Sequence, residues 1–155
     1  MRPAALVDTR EPLAFGDAAA AILQTADGRY FLQQRDDKPG IWYPGHWGCF
    51  GGGVEAGESP AEALARELVE ELDLEVGELG YFMHMDFEMG ALGLGHCHRT
   101  YYTARLAPQA VGALALREGK DMGAFDARTM LNELDLAPYD AFALFLHASG
   151  GRIVK

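Results

Sequence analysis

The sequence is poor in cysteine, in basic residues and in long apolar runs. Its two cysteines, Cys49 and Cys97, are too few for a disulfide framework, and their spacing fits no zinc motif. A reducing, cytoplasmic setting is the expectation. Lys and Arg number 13 against 23 Asp and Glu, a formal net charge of −10. The basic residues are scattered singly, so no patch offsets the repulsion a nucleic-acid backbone would meet. That argues against a nucleic-acid polymer as partner. A small phosphorylated ligand stays open if a divalent cation stands between the two sets of negative charge. The longest apolar runs, 18–23 and 141–146, fall far short of the roughly 20 residues a membrane helix needs. No membrane partner is expected, and residues 1–8 hold no apolar core long enough for a secretory signal. Linkers and internal repeats are absent too.

What remains is 155 residues, 49% of them hydrophobic, enough for one domain with a real core. Residues 1–14, with Pro3 and Pro12, read as an irregular lead-in that could serve a homodimer. Residues 15–155 read as the single domain. Strands are expected at 18–24 and 30–35 around the Asp27-Gly28 turn signal, followed by a long loop over 36–47. Gly51, Gly52 and Gly53 come next, and then a helix near 59–72. Further strands are expected at 81–88 and 99–106 around a loop with Gly90, Gly93 and Gly95, and a short one at 123–125. Helices follow at 127–134 and 138–148. This order suggests an α/β protein with a mixed sheet.

The helix carries the chemistry. Ser59 is a good N-cap, Pro60 fits the first helical position and Glu62 completes a capping box. On a wheel of about 100° per residue, Ala61, Leu64, Ala65, Leu68, Val69 and Leu72 gather on one side. Glu67, Glu70 and Glu71 gather beside them as direct neighbours. Such like charges destabilise a helix, and near its C-terminal end they gain nothing from the dipole. A plain solvated acidic face is the simplest account. Against it stand the border position of these glutamates, the glycines before the helix, and Arg66 four residues from both Glu62 and Glu70. Mg²⁺ is the natural compensation, since it prefers carboxylate and phosphate oxygens.

The spacing resembles the Nudix box. Gly52, five residues, Glu58, seven residues, Arg66-Glu67-Leu68, one residue, Glu70-Glu71, one residue, Asp73-Leu74 departs from that pattern only at Asp73, where the family has Gly. The helix ends there, and Asp is among the few residues that adopt a left-handed backbone at modest cost. Phe50 also stands where many members carry Pro; with Trp47 it weakly echoes a branch that removes oxidised nucleotides. The resemblance implies a MutT-like αβα sandwich that hydrolyses a nucleoside diphosphate linked to a moiety X, giving a nucleoside monophosphate and phospho-X. Glu67, Glu70, Glu71 and the Gly51 carbonyl are the implied Mg²⁺ ligands, with Mn²⁺ able to replace the metal. Arg66 is implied to orient them and Glu58 to support the helix start. The general base is Glu67 in some relatives and a later loop Glu in others, for which Glu118 is the candidate. Related alternatives are a sugar-nucleotide hydrolase of the GDP-mannose type and a non-catalytic nucleotide sensor, both usually with an altered box.

The substrate contacts expected are Arg35, Tyr43, Trp47, Gly52, Gly53 and Asp121. Trp42, Tyr43, His46 and Trp47 could stack on a base or sugar, or Trp47 could be core with the others covering it. Asp121 could hydrogen-bond a base, although a turn cap is its simpler role. Met89 and the 90–92 segment lack the Pro and Tyr seen in some ADP-ribose and dinucleoside-polyphosphate relatives. His96 and His98 share one strand face with Cys97 on the other. Two imidazoles alone are short of a metal site, so a structural or substrate-facing role is expected.

Overall fold

The computed structural model describes residues 16–150; the 1–14 lead-in lies outside them. In chain order the strands are β1 (Ala18–Gln24), β2 (Tyr30–Gln34), β3 (Trp47–Gly48), β4 (Phe50–Gly53), β5 (Gly80–Glu88), β6 (His96–Arg105) and β7 (Asp121–Phe125). The helices are α1 (Pro60–Leu72), the single turn α2 (Pro108–Val111), α3 (Ala127–Glu133) and α4 (Pro138–Ala148).

All seven strands form one mixed sheet. β1 runs parallel to β6, which pairs with the outer strand β5. The other edge of β1 is shared. β4 pairs with Ala18 to Ala21, whereas β2 pairs only with Leu23 and Gln24. β2 then departs from β1 and pairs with β3 and β7. Two strands competing for one edge must diverge, and that divergence opens the sheet where the glycines lie.

Side chains of β1 alternate between two cores, as strand geometry requires. Ala19, Ala21 and Leu23 face Leu64, Leu68 and Leu72 of α1. Ala20 and Ile22 face Met130 of α3 and Leu144 of α4. The architecture is therefore the expected αβα sandwich. Each fully buried leucine contributes about 1.5–3 kcal/mol of transfer free energy.

Helix α1 starts as its sequence dictates, with Ser59 and Glu62 exchanging both capping hydrogen bonds. It ends on Asp73 at φ 56° and ψ 35°, in the left-handed region. The Leu74 N–H returns to the Leu68 carbonyl at 3.2 Å, which closes the terminus in the usual way.

Several boundaries differ from the sequence reading. Trp47–Gly48 and Phe50–Gly53 are strands, not loop, because the Gly-rich run pairs with the small residues of β1 beneath α1. β6 begins at His96, ahead of Arg99, since it continues its ladder with β5 past the end of β1. The α2 turn was not anticipated. The buried face of α1 is also rotated: Ala63 is buried and Val69 is 38% exposed. Glu71 consequently lies inside the packed face.

Candidate active site

Glu71 is 4% exposed, an unusual place for a carboxylate. Its side chain accepts the Gly51 N–H at 3.2 Å. The neighbouring Gly52 lets Glu67 approach, for a Cβ there would lie 2.4 Å from the Glu67 carboxylate carbon. Bare backbone on β4 thus makes room for two acids of α1.

Arg66 ties these acids into a network. It donates to Glu58 at 2.7 and 3.0 Å, to Glu67 at 2.9 Å, to Glu70 at 3.3 Å and to the Gly53 carbonyl at 3.0 Å. Glu62, also four residues away, is occupied by the Ser59 cap. A planar fork with five donors can serve several acceptors at once, which an ammonium cannot do as rigidly. The Arg66 hydrogen bonds pull the Glu58 carboxyl down to about 2.

The segment after α2 brings a fourth acid to the site. The N–H groups of Ala115 and Arg117 donate to the last carbonyls of α1, at Leu72 (3.1 Å) and Glu71 (2.9 Å). The Lys120 N–H donates to Gln34 of β2 at 2.8 Å. Between these anchors Glu118 faces Glu67, Glu70 and Glu71 across a cleft that also takes in Arg35 and Lys38. The cleft holds about 410 Å³, within the usual range for a small-molecule site. Burial pushes the Glu71 carboxyl up to about 8, and the charges of Glu67 and Glu118 add to it. Burial also raises Glu67, with Glu70 and Glu118 adding and Arg66 opposing. Four oxygen-donor acids under mutual repulsion suit a hard divalent cation.

The sequence matches the NUDIX domain over residues 14–143. The chain belongs to the NUDIX family. Over 46 residues it is 52% identical to nucleoside triphosphatase NudI of Escherichia coli, covering 30% of this chain and 32% of that protein. Over 55 residues it is 46% identical to the RNA pyrophosphohydrolase of Gluconacetobacter diazotrophicus, covering 34% and 33%. The chain therefore spans about a third of the length of the curated relatives it matches. Among solved structures it resembles a MutT from work on Aliivibrio salmonicida and Vibrio cholerae. The TM-score is 0.70 at 26% identity, over 86% of this chain and 97% of that one. The dihydroneopterin triphosphate pyrophosphohydrolase of E. coli shares the fold, with a TM-score of 0.68 at 18% identity over 90% and 99% of the two chains.

Beside the acidic cleft this Nudix domain has a small, mostly apolar recess of about 130 Å³, lined among others by Trp42, Phe87, Met89 and Cys97. Trp42, Arg99 and Tyr139 border both spaces. Arg99 lies 4.5 Å from the Tyr139 ring centroid and donates to Asp140 at 3.0 Å. Asp140, 1% exposed, also accepts the Tyr101 hydroxyl at 2.7 Å and the Cys49 N–H at 2.9 Å. Sequence reasoning missed this hub. An acid in the first turn of a helix is ordinary, so nothing in the sequence singled out Asp140.

Other expected contacts stand apart from the cleft. Trp47 packs edge-to-face on Phe125 at 5.0 Å, in the core beneath α3 and α4. Tyr43, at φ 48°, contacts His46 and Tyr139. Asp121 opens β7 opposite Gln34, and its carboxylate accepts the Met122 N–H at 2.8 Å. Gly53 contributes its carbonyl to Arg66. Arg35 does line the cleft, and its Nε holds the Trp42 carbonyl at 2.6 Å.

Proposed function

We propose that this chain is a Mg²⁺-dependent pyrophosphohydrolase acting on a nucleoside diphosphate linked to a further group X. The observation that carries the reading is the convergence of Glu67, Glu70, Glu71 and Glu118 on one cleft that also contains Arg35 and Lys38. Acids there suit a metal, and cations beside them suit phosphate oxygens. The names borne by the relatives, a nucleoside triphosphatase and a pyrophosphohydrolase, fall in the same class of reaction.

Glu67, Glu70 and Glu71, with the Gly51 carbonyl, would hold the cation, and Mn²⁺ would replace Mg²⁺ on such oxygen donors. A divalent cation bound there supplies charge neutralisation at the phosphoryl oxygens and acidifies water. Arg66 keeps the carboxylates oriented, and Glu58 keeps Arg66 in place. Water attacks one phosphorus in line, the bridging P–O bond breaks, and the departing phosphate leaves with the bridging oxygen. Glu118 takes the proton of the attacking water, across the cleft from the metal-holding acids. Arg35 and Lys38 neutralise the phosphates, and the recess beside Trp42 receives the less polar part of the substrate. All three metal-holding acids of the box are present, which favours phosphoanhydride hydrolysis over the sugar-carbon and sensor alternatives.

The test is phosphate release, with a pyrophosphatase or phosphatase added to act on the products, from a panel of nucleoside triphosphates (canonical and oxidised), nucleotide sugars, ADP-ribose and dinucleoside polyphosphates. Each is assayed with Mg²⁺ or EDTA, for wild type and Glu71→Gln. Turnover that requires Mg²⁺ and falls at least about 10³-fold in the variant, some 4 kcal/mol, is expected. Nucleotide binding without turnover would replace the enzyme by the sensor.

A further inference from the structure

The ribbon of β5 and β6 carries a second cluster of titratable groups. Alternate residues on a strand share a face, so His84 and Asp86 of β5 stand together, as do His96 and His98 of β6. The antiparallel register sets Asp86 opposite His98 and Glu88 opposite His96. Met83 and Met85, on either side of His84 in sequence, pack into the opposite layer with Tyr101. His98 Nδ1 lies 2.5 Å from Asp86 Oδ1, and His84 Nε2 lies 3.8 Å from the same oxygen. The His96 and His98 ring centroids are 4.7 Å apart. One ligand atom from each of Asp86, His96 and His98 lies within 4.8 Å of the other two.

We infer that Asp86, His96 and His98 form a binding site for a divalent transition-metal ion of the Zn²⁺ class, with His84 as the next ligand within reach. Two imidazoles and a carboxylate are a recurrent Zn²⁺ set, and imidazole nitrogen selects such ions over Mg²⁺. Tetrahedral coordination at about 2.0–2.2 Å places ligand atoms roughly 3.4 Å apart. Closing from the present spacing takes only small rotations, because these side chains are about half exposed and free to adjust. The backbone does the costlier work, since register alone presents four ligands on one face. Two histidines on β6 were too few; the missing donors come from β5.

This site is separate from the Nudix box. β1 lies between β6 and β4, and the box offers only oxygen donors.

The experiment is equilibrium dialysis of the full chain against micromolar Zn²⁺ in excess Mg²⁺, with bound zinc read by mass spectrometry. Wild type and Glu70→Gln/Glu71→Gln are expected to hold about one Zn²⁺ per chain, as one such site implies. His96→Ala/His98→Ala is expected to bind at least about tenfold more weakly. As a readout independent of variants, Zn²⁺ should shift the imidazole NMR signals of His96 and His98 while His46 and His147 stay in place. Zinc binding that is absent from wild type, retained by the double histidine variant, or lost with the box acids would overturn the inference.

Discussion

Gly51 donates its N–H to the buried Glu71 carboxylate, and no other residue fits where that glycine stands. Its φ is +151°, and a Cβ would lie 2.1 Å from the Ala19 carbonyl oxygen. The hydrogen bond and the missing side chain together let α1 settle against β4 with an acid at the contact. Gly51→Ala is therefore expected to lose about 2–5 kcal/mol from backbone strain and overlap, read as a lower urea midpoint.

Glu71 links stability to pH. Its folded-state pKa of about 8 is above the ordinary value of 4.5, so the folded chain retains a proton that the unfolded chain releases. Without metal, stability is expected to fall as pH rises from about 5 to 8. Glu71→Gln should flatten this slope and melt higher than wild type at pH 8, while Mg²⁺ should raise the wild-type melting temperature through its preference for the ionised, folded site. Thermal melts in EDTA and in Mg²⁺ check both.

Glu118 is held in the cleft by backbone bonds on either side, so its carboxylate can be changed with little effect on the fold. Glu118→Gln is expected to lower kcat by about 10²-fold, the usual scale of general-base loss, with the Mg²⁺ requirement unchanged. A change of less than about threefold would assign proton transfer to Glu67.

Trp42 borders both the acidic cleft and the apolar recess. Trp42→Ala should raise KM by about tenfold, the worth of one lost stacking contact, with kcat little altered. An equal fall in kcat instead would mean that Trp42 acts on the reacting phosphates through Arg35.

Asp140 pairs with Arg99, whose side chain is only 16% exposed. Asp140→Ala strands that cation and the Cys49 N–H, and is expected to cost about 3–5 kcal/mol. Gly48→Ala should act on the same contact, since a Cβ would lie 2.5 Å from the Asp140 carboxylate. Chemical denaturation of both variants checks this.

Local patterns made much of the fold legible. The capping box, the apolar stripe and the alternating strands are decided within a few residues, and α1 begins and ends where Ser59 and Asp73 predict. The box acids were legible because helix geometry fixes neighbours three and four residues apart. Glu118 was only a candidate, for nothing local joins it to residues nearly fifty positions earlier. The strand character of Phe50–Gly53 was missed because glycines ordinarily weaken strands; here the approach of Glu67 and Glu71 requires them.

By itself, then, the sequence determined that a row of carboxylates would stand on one helix with an arginine among them, because covalent spacing and the helical repeat are local. Only the tertiary structure decided which of those acids would be buried, since that depends on how α1 rotates against strands whose pairing is non-local. It likewise decided that Glu118 would close the cleft and that Asp86 would meet His96 and His98. Strand register and the hydrogen bonds between distant segments, which no local pattern specifies, make those encounters.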